Sequence, residues 1–296
     1  MSHRDHAVEA GAVRTGLAVT AALCIAEFVG GWLTNSLALL SDAMHMFTDV
    51  GALGLTWFAL WIADRPASSQ KTYGYYRAEI LAALVNAVVL LVVAGGIFYE
   101  AWQRIRAPSP VLGVPMAVVA AAGLGVNVVG AWLLHHGAHE SLNVRAAYLE
   151  VLSDALSSLA VLVAAAVVIT TGLTVADPLA SAAIALLIVP RTWRLLRQAV
   201  NVLLEGTPAH LELTEIEAAM TRVSGVRRVH DLHVWTLTSG RESMSAHVVV
   251  ADVRESERLL EALHAVLHAR FGIDHTTIQL ETEPPPVLRI KGPNPV

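Results

Sequence analysis

The chain has 296 residues, of which 55% are hydrophobic and only 15% are charged. Its mean hydropathy of +0.55 exceeds what a water-soluble domain needs for a core, so the composition is typical of a membrane protein. The formal net charge of -5 argues against a nucleic-acid partner, which usually requires a basic face. The single cysteine, Cys24, excludes an intramolecular disulfide and a thiolate metal cluster, so any metal must be held by His, Asp or Glu.

Six segments are apolar enough to cross a bilayer, which requires roughly 20 mostly apolar residues. The N-terminal segment, residues 1–11, has no signal-peptide layout, so we expect the first span to stay in the membrane. Asp177 and Pro178 are predicted to begin the last span, as its cap and its first turn. The six predicted spans, which together form a transmembrane domain over residues 12–204, cover residues 12–33, 37–62, 79–101, 112–135, 145–170 and 178–203.

The distribution of Lys and Arg along the chain predicts its orientation in the membrane. If the N-terminus is cytoplasmic, only Arg104 and Arg106 fall on the outer side. Both termini are therefore predicted to be cytoplasmic, and the second and fifth spans run antiparallel. The residues on the inner side are Arg4, Arg14, Arg65, Lys71, Arg77, Arg145, Arg191, Arg194 and Arg197.

After Glu205 the pattern becomes that of a small α+β domain. A helical segment, "LELTEIEAAMTRVSGV", precedes two strand-like segments, "VRRVHDLHVWTL" and "ESMSAHVVVA", around the turn "TSGR". An amphipathic helix that ends at Gly272 and a last strand, "HTTIQLE", complete the order. This order predicts a cytoplasmic ferredoxin-like domain over residues 205–283, followed by a disordered proline-rich tail, residues 284–296.

Two of the predicted spans carry ionisable residues. His45 and Asp49 are four residues apart in the second span, and Glu150 and Asp154 repeat that spacing in the fifth. Residues four apart share one face of a helix, so in antiparallel helices His45 can face Asp154 while Asp49 faces Glu150. One imidazole and three carboxylates around a common point suit a tetrahedral divalent cation, with Zn²⁺ the first candidate.

A structural role is the alternative, because intramembrane acids also hold helices together by pairing with a cation or with backbone groups. We expect no Lys or Arg within the membrane to neutralise these residues, so a functional site is favoured. Asp42, three residues before His45, either accepts a hydrogen bond from one of the metal-ligating residues, lines the access route or is structural. We expect Glu27, Asn86 and Asn127 to pack spans together or to line a water path.

Several separate motifs together resemble the cation diffusion facilitator family, the zinc/cadmium/cobalt-type metal/proton antiporters. They are "SLALLSDAMHMFTD", "YGYYRAEILAALVNA", "LEVLSDALSS", "ADPLASAAIALLI", and "VHDLHVWTLTSG", "SAHVVV" and "GIDHTTIQLE" in the last domain. The resemblance runs from about Gly16 to Glu283. It implies an all-α membrane bundle of six helices with a cytoplasmic ferredoxin-like domain, and a transport site formed by His45, Asp49, Glu150 and Asp154.

One residue of that site departs from the family pattern. Glu150 stands at the fifth-span position that most zinc-transporting members fill with His, so a harder oxygen ligand replaces a nitrogen. Zn²⁺ still leads, while Cd²⁺, Co²⁺, Mn²⁺ and Fe²⁺ stay open as main substrates. Three neighbouring carboxylates repel one another, so the empty site is expected to hold protons that a divalent ion must displace. This competition predicts export of metal in exchange for protons by alternating access.

The histidines of the last domain form a second candidate site. His230 and His247 lie on the strands that flank the turn, and His275 and Glu281 lie six residues apart on one face of the last strand. The resemblance implies cytoplasmic metal sites around such positions, often at a dimer interface. Surface histidines without a metal are also common, so a regulatory Zn²⁺ site and solvated histidines both stay open for these four residues.

The sequence therefore predicts a homodimeric secondary transporter of a bacterial inner membrane, with lipid, divalent metal and protons as its partners. A proton-uncoupled metal channel or membrane metal sensor uses the same ligands and is the alternative function. An enzyme is not expected, because the sequence has neither an HExxH pattern nor a serine nucleophile arrangement. No organic cofactor is expected.

Overall fold

The protein is described by a computed structural model that covers residues 20–135 and 142–282. The predicted segments 1–11 and 284–296 lie outside the described residues. By its contacts the chain divides into two compact units. The first contains the residues up to Phe58 together with Ala82–Leu196, and the second contains Ala59–Leu81 and the residues from Arg197 onward.

The first six helices are long and apolar. They are α1 (Thr20–Thr34), α2 (Leu37–Ala63), α3 (Arg77–Arg106), α4 (Gly113–His135), α5 (Leu142–Thr171) and α6 (Ala176–Leu203). Within the described residues, five helices are long and apolar enough to cross a membrane, namely α2, α3, α4, α6 and the Ala147–Thr171 part of α5. The predicted first span, residues 12–33, begins outside the described residues, and its described part is the shorter helix α1.

Small side chains let α2, α4, α5 and α6 approach one another closely. The shared core contains Leu39, Met116, Val161 and Ile184, all fully buried, and four alanines lie between them. Small residues at helix crossings are typical of membrane bundles, in which van der Waals contact replaces the hydrophobic effect between helices. Large apolar side chains are exposed on the outer faces, as lipid requires; they include Trp32, Trp57, Val92 and Trp132.

Asp177 holds the beginning of α2. Its carboxylate accepts hydrogen bonds from the N–H groups of Leu37, at 2.8 Å, and Ala38, at 3.2 Å, and from the Ser36 hydroxyl, at 2.6 Å. These amides have no partner within their own helix, so the fully buried carboxylate stabilises the N-terminus of α2. The sequence predicts Asp177 as the cap of its own helix; the structure instead directs its side chain to another helix, a contact that chain order does not indicate.

The second unit contains a three-stranded sheet covered by two helices. Its elements are α7 (Leu213–Thr221), β1 (Val226–Thr238), β2 (Arg241–Val250), a 3-10 turn (Val253–Glu255), α8 (Ser256–Phe271) and β3 (His275–Glu281). The strand order is β1-β2-β3, with β1 and β2 antiparallel and β2 and β3 parallel. The predicted small C-terminal sheet domain is therefore present, and Gly272 ends α8 with a φ of 68° as expected.

The core of this unit lies between the helices and one face of the sheet. Ile216 and Met220 of α7 and Leu259, Leu263 and Leu267 of α8 pack on buried strand residues. The register places His230 opposite His247 across β1 and β2, and Gln279 beside His247 in β3. This register determines which polar side chains meet on the sheet.

Candidate metal centres

Two contacts show that α2 and α5 are antiparallel. Asp49 lies beside Glu150, whereas the hydroxyl of Ser158, two turns further along α5, donates to Asp42 at 3.4 Å. Residue numbers therefore fall along α2 as they rise along α5, which is the arrangement expected from the sequence. The polar residues of the two helices consequently form one continuous stripe.

Three of the four residues predicted for the membrane site form a cluster. One possible ligand atom from each of His45, Asp49 and Glu150 lies within 4.8 Å of the other two. His45 Nδ1 is 3.5 Å from an Asp49 oxygen, with His45 buried and Asp49 partly exposed. Ligand atoms bind a divalent transition metal at about 2.0–2.3 Å, so atoms this close to one another can surround a single ion.

Asp154 lies next to this cluster without belonging to it. It stands one helical turn from Glu150 on α5, and its carboxylate interacts electrostatically with His45, Glu150 and Asp49. One of its oxygens is buried and has no hydrogen-bond partner among the described residues. Asp154 therefore provides an unused oxygen donor beside a three-residue ligand set.

Arg191 of α6 is the part of this site that sequence reasoning missed. Its guanidinium lies 2.5 Å from a carboxylate oxygen of Glu150, so the two side chains form an ion pair. The expectation that no cation neutralises the intramembrane acids was thus wrong for Glu150. The sequence analysis assigned Arg191 to the inner side of the membrane, although it falls midway along the predicted span 178–203. Its long side chain extends several ångströms from the backbone and contacts the site.

A second cluster lies on the sheet of the second unit. One ligand atom from each of His230, His247 and Glu281 lies within 4.8 Å of the other two. His230 Nε2 is 3.2 Å and His247 Nδ1 is 2.9 Å from the two carboxylate oxygens of Glu281. Two imidazoles and one carboxylate are a ligand set that Zn²⁺ commonly uses, so these residues fit the ion that the sequence predicts here.

His275, the fourth candidate of this domain, lies elsewhere. Its ring contacts the edge of the Tyr73 ring, with 5.5 Å between the ring centroids. Six residues of strand place His275 about 20 Å from Glu281, so the two residues of one chain do not share an ion. The structure therefore brings together three of the four predicted residues.

Asp231 is a polar neighbour of the sheet cluster that the sequence analysis did not predict. One of its oxygens lies 3.9 Å from His247 Nε2, and the other is 3.1 Å from His233 Nε2. Strict alternation along β1 places Asp231 on the face opposite to His230. The register shifts between His230 and His233, and Asp231 has a φ of 51°, so a bulge redirects its side chain.

The fold and the two clusters define a class of protein: a bundle of membrane-type helices that contains a cluster of candidate metal ligands, followed by a small sheet domain with a second such cluster. The family model described as cation efflux transmembrane domain matches residues 13–204. The model described as cation efflux protein, cytoplasmic domain, matches residues 208–283. The chain belongs to the cation diffusion facilitator family.

Curated relatives resemble the chain over most of its length. Metal cation efflux system protein CzcD of Cupriavidus metallidurans is 45% identical over 273 residues, covering 92% of this chain and 86% of that protein. Zinc transporter ZitB of Escherichia coli is 44% identical, covering 90% of this chain and 85% of that protein. The cadmium, cobalt and zinc/H(+)-K(+) antiporter of Bacillus subtilis is 40% identical, covering 88% of this chain and 85% of that protein.

One solved structure similar to part of the chain is the metal-bound C-terminal domain of the CzcD transporter of Cupriavidus metallidurans. It is 40% identical, covers 24% of this chain and 99% of that one, and gives a TM-score of 0.23. The family models and the relatives together identify the chain as an integral membrane protein of metal-cation efflux.

Proposed function

We propose that this protein is a secondary active transporter that exports a divalent transition-metal cation, Zn²⁺ first, from the cytoplasm in exchange for protons. The observation that carries the proposal is the cluster of His45, Asp49 and Glu150, inside helices of membrane-spanning length and with Asp154 beside it. The relatives support the substrate class, since one is named a zinc transporter and another an antiporter of cadmium, cobalt and zinc.

The proposed architecture is a homodimer in a bacterial inner membrane, with six spans and both termini cytoplasmic. Helix α1 is the described part of the first predicted span, and together with the five longer helices it supports a total of six spans. The helix and strand order of the second unit supports a ferredoxin-like cytoplasmic domain over residues 205–283, after a transmembrane domain over residues 12–204. The cytoplasmic family model is named for a dimer, which supports two copies.

The proposed mechanism follows from charge. The four side chains bind a metal only when they are deprotonated, so a divalent ion and the site's protons exclude each other. Without the ion, Arg191 neutralises Glu150, and protons on Asp49 and Asp154 remove the remaining negative charge. An arriving dication replaces both the protons and the guanidinium. Metal then leaves on one side of the membrane and protons enter from the other as the helices rock around the site.

The cytoplasmic cluster has a regulatory role in this proposal. His230, His247 and Glu281 hold one Zn²⁺, which links β1, β2 and β3 and stiffens the domain. His275 stays a candidate ligand for an ion shared between two copies, because its own chain places it away from the cluster.

Proteoliposomes that contain a pH indicator test the proposal. Zn²⁺, Cd²⁺, Co²⁺ and Mn²⁺ are added in turn, and proton movement and metal uptake are recorded together for wild type, Asp49→Ala, Asp154→Ala and Glu150→His. We expect coupled fluxes in wild type, loss of both in the two Ala variants, and a shift towards the softer ions in Glu150→His because nitrogen replaces oxygen.

Glu257→Ala, at an exposed carboxylate of α8, is the control and should transport as wild type does. Metal uptake without proton movement in wild type would indicate a channel and contradict the proposal. Full transport by Asp49→Ala and Asp154→Ala would show that the cluster is not the transport site.

A further inference from the structure

A second buried polar cluster lies beyond the metal-ligand residues on the same stripe of α2 and α5. Glu27 of α1 is only 1% exposed, and neither of its carboxyl oxygens has a hydrogen-bond partner among the described residues. Asp42 is equally buried, and one of its oxygens is also unpartnered within the described part of the chain. The Ser158 hydroxyl donates to the other Asp42 oxygen at 3.4 Å and accepts from the Asn127 amide at 3.4 Å.

Gly123 of α4 makes room for the Glu27 carboxyl group. A Cβ at position 123 would lie 2.6 Å from Glu27 Oε1 and 3.4 Å from Ser158 Oγ, closer than the carboxyl oxygen allows. The missing side chain therefore leaves space for the Glu27 carboxyl group in the pocket that also contains the Ser158 hydroxyl. Helices α2, α4 and α5 together form the pocket into which α1 inserts an acid.

An ionised carboxylate is unstable in this pocket. A buried charge without a partner costs far more than a buried neutral polar group, so such a group holds its proton instead. The charged groups that face Glu27 are themselves acids, Asp42 from α2 and Asp154 from α5, and Cys24 lies one turn away on α1. Glu27 is therefore expected to be a neutral carboxylic acid while the pocket is closed.

When the pocket opens, the ionised form of Glu27 is no longer disfavoured by burial. Alternating access requires the helices around the metal cluster to separate on one side of the membrane, and α2 and α5 line both the cluster and the Glu27 pocket. A hydrated glutamic acid ionises at neutral pH, so water that reaches Glu27 allows its proton to leave. Closure of the same helices requires the proton to be taken up again.

We propose that Glu27 is a proton-binding site separate from the metal ligands, and that its proton is one of those exchanged for metal in each transport cycle. This inference rests on the proposed proton-coupled transport and adds a second proton carrier to it. Gln has the shape of a protonated Glu and cannot release a proton. Glu27→Gln therefore keeps the closed pocket intact and removes only the release and uptake of the proton at position 27.

Two measurements on the full-length protein test the inference. Infrared difference spectra in H₂O and D₂O should show the carbonyl stretch of a protonated, buried carboxylic acid in wild type, and Glu27→Gln should lose that band. Glu100→Gln, which changes a partly exposed acid of α3 paired with Arg104, is the matched control and should keep it. In proteoliposomes, Glu27→Gln should move fewer protons per metal ion than wild type, while Glu100→Gln keeps the wild-type ratio.

An unchanged proton-to-metal ratio in Glu27→Gln, with metal transport retained, would overturn the inference and leave the proposed function standing. Metal flux without protons in wild type would instead overturn the proposed function itself. Gly123→Ala provides a second variant in case Glu27→Gln does not fold. Its Cβ displaces the carboxyl group, so the infrared band should shift and the ratio should fall; a band and ratio identical to those of wild type would also overturn the inference.

Discussion

Glu150 and Arg191 together determine the charge of the membrane cluster. Glu150 supplies a carboxylate oxygen to the cluster, and the structure pairs its negative charge with the Arg191 guanidinium at 2.5 Å. In the proposed mechanism, Arg191 stays paired with Glu150 until a metal ion binds and displaces it. The carboxylate at position 150 and the arginine at position 191 are therefore best understood as one feature.

The pair leads to a prediction for Arg191→Gln. Metal must displace the guanidinium from Glu150, and an ion pair as exposed as this one contributes about 0.2–1 kcal/mol. Its removal should therefore tighten metal binding by about 1.4- to fivefold. Calorimetric titration of the full-length protein in detergent measures this change. Arg194→Gln, three residues further along α6, is the control and should bind metal as wild type does.

A double-mutant cycle shows whether the effect passes through Glu150. In the Glu150→His background the partner carboxylate is gone, so Arg191→Gln should give no further gain in affinity. The same gain in both backgrounds, or weaker binding by Arg191→Gln in the wild-type background, would show that the arginine does not compete with the metal.

Strand pairing brings the ligands of the second cluster together. His230 and His247 face each other across β1 and β2, and Glu281 comes from β3, so the cluster exists only when all three strands are paired. We therefore expect His247→Ala to remove one bound Zn²⁺ per chain and to abolish the rise in thermal unfolding temperature that Zn²⁺ gives to the second unit. His264→Ala, at an exposed histidine of α8, should retain both. Retention of both by His247→Ala would show that the cluster holds no ion.

The sequence predicted helices more completely than it predicted the contacts between them. Long apolar runs identify the spans because lipid leaves few other solutions, and the spacing of four residues placed His45 with Asp49 and Glu150 with Asp154 on common faces. The contact of Arg191 with Glu150 and that of Asp177 with the start of α2 join residues far apart in sequence. No local pattern encodes them.

The sheet domain shows a similar limit. Period-2 alternation and the turn "TSGR" predicted β1 and β2, and Gly272 predicted the end of α8. Alternation also grouped His275 with Glu281 on one face, but six residues of strand separate them by about 20 Å, which keeps His275 out of the cluster. The bulge that brings Asp231 beside His247 depends on a positive φ, which the dipeptide pattern does not reveal.

At the scale of the whole molecule, one polar stripe along α2 and α5 combines metal ligands and buried acids. Asp49 and Glu150 lie at one end, His45 and Asp154 follow, and Asp42 and Ser158 lead to the pocket of Glu27. In the proposed mechanism, the candidate ligands of this stripe hold a divalent ion when they are deprotonated, and its acids hold protons when the ion is gone. We propose that the mutual exclusion of the divalent ion and the protons drives metal export.

Accumulation of metal driven by a pH gradient is the most direct test of whether this exclusion drives export. Proteoliposomes with an acidic lumen are placed in equal concentrations of Zn²⁺ inside and outside, and luminal Zn²⁺ is followed over time with and without a protonophore. We expect Zn²⁺ to accumulate in the acidic lumen of wild-type proteoliposomes, the protonophore to abolish this accumulation, and Asp154→Ala to show none. Accumulation that is the same with and without the pH gradient would contradict the proposed mechanism.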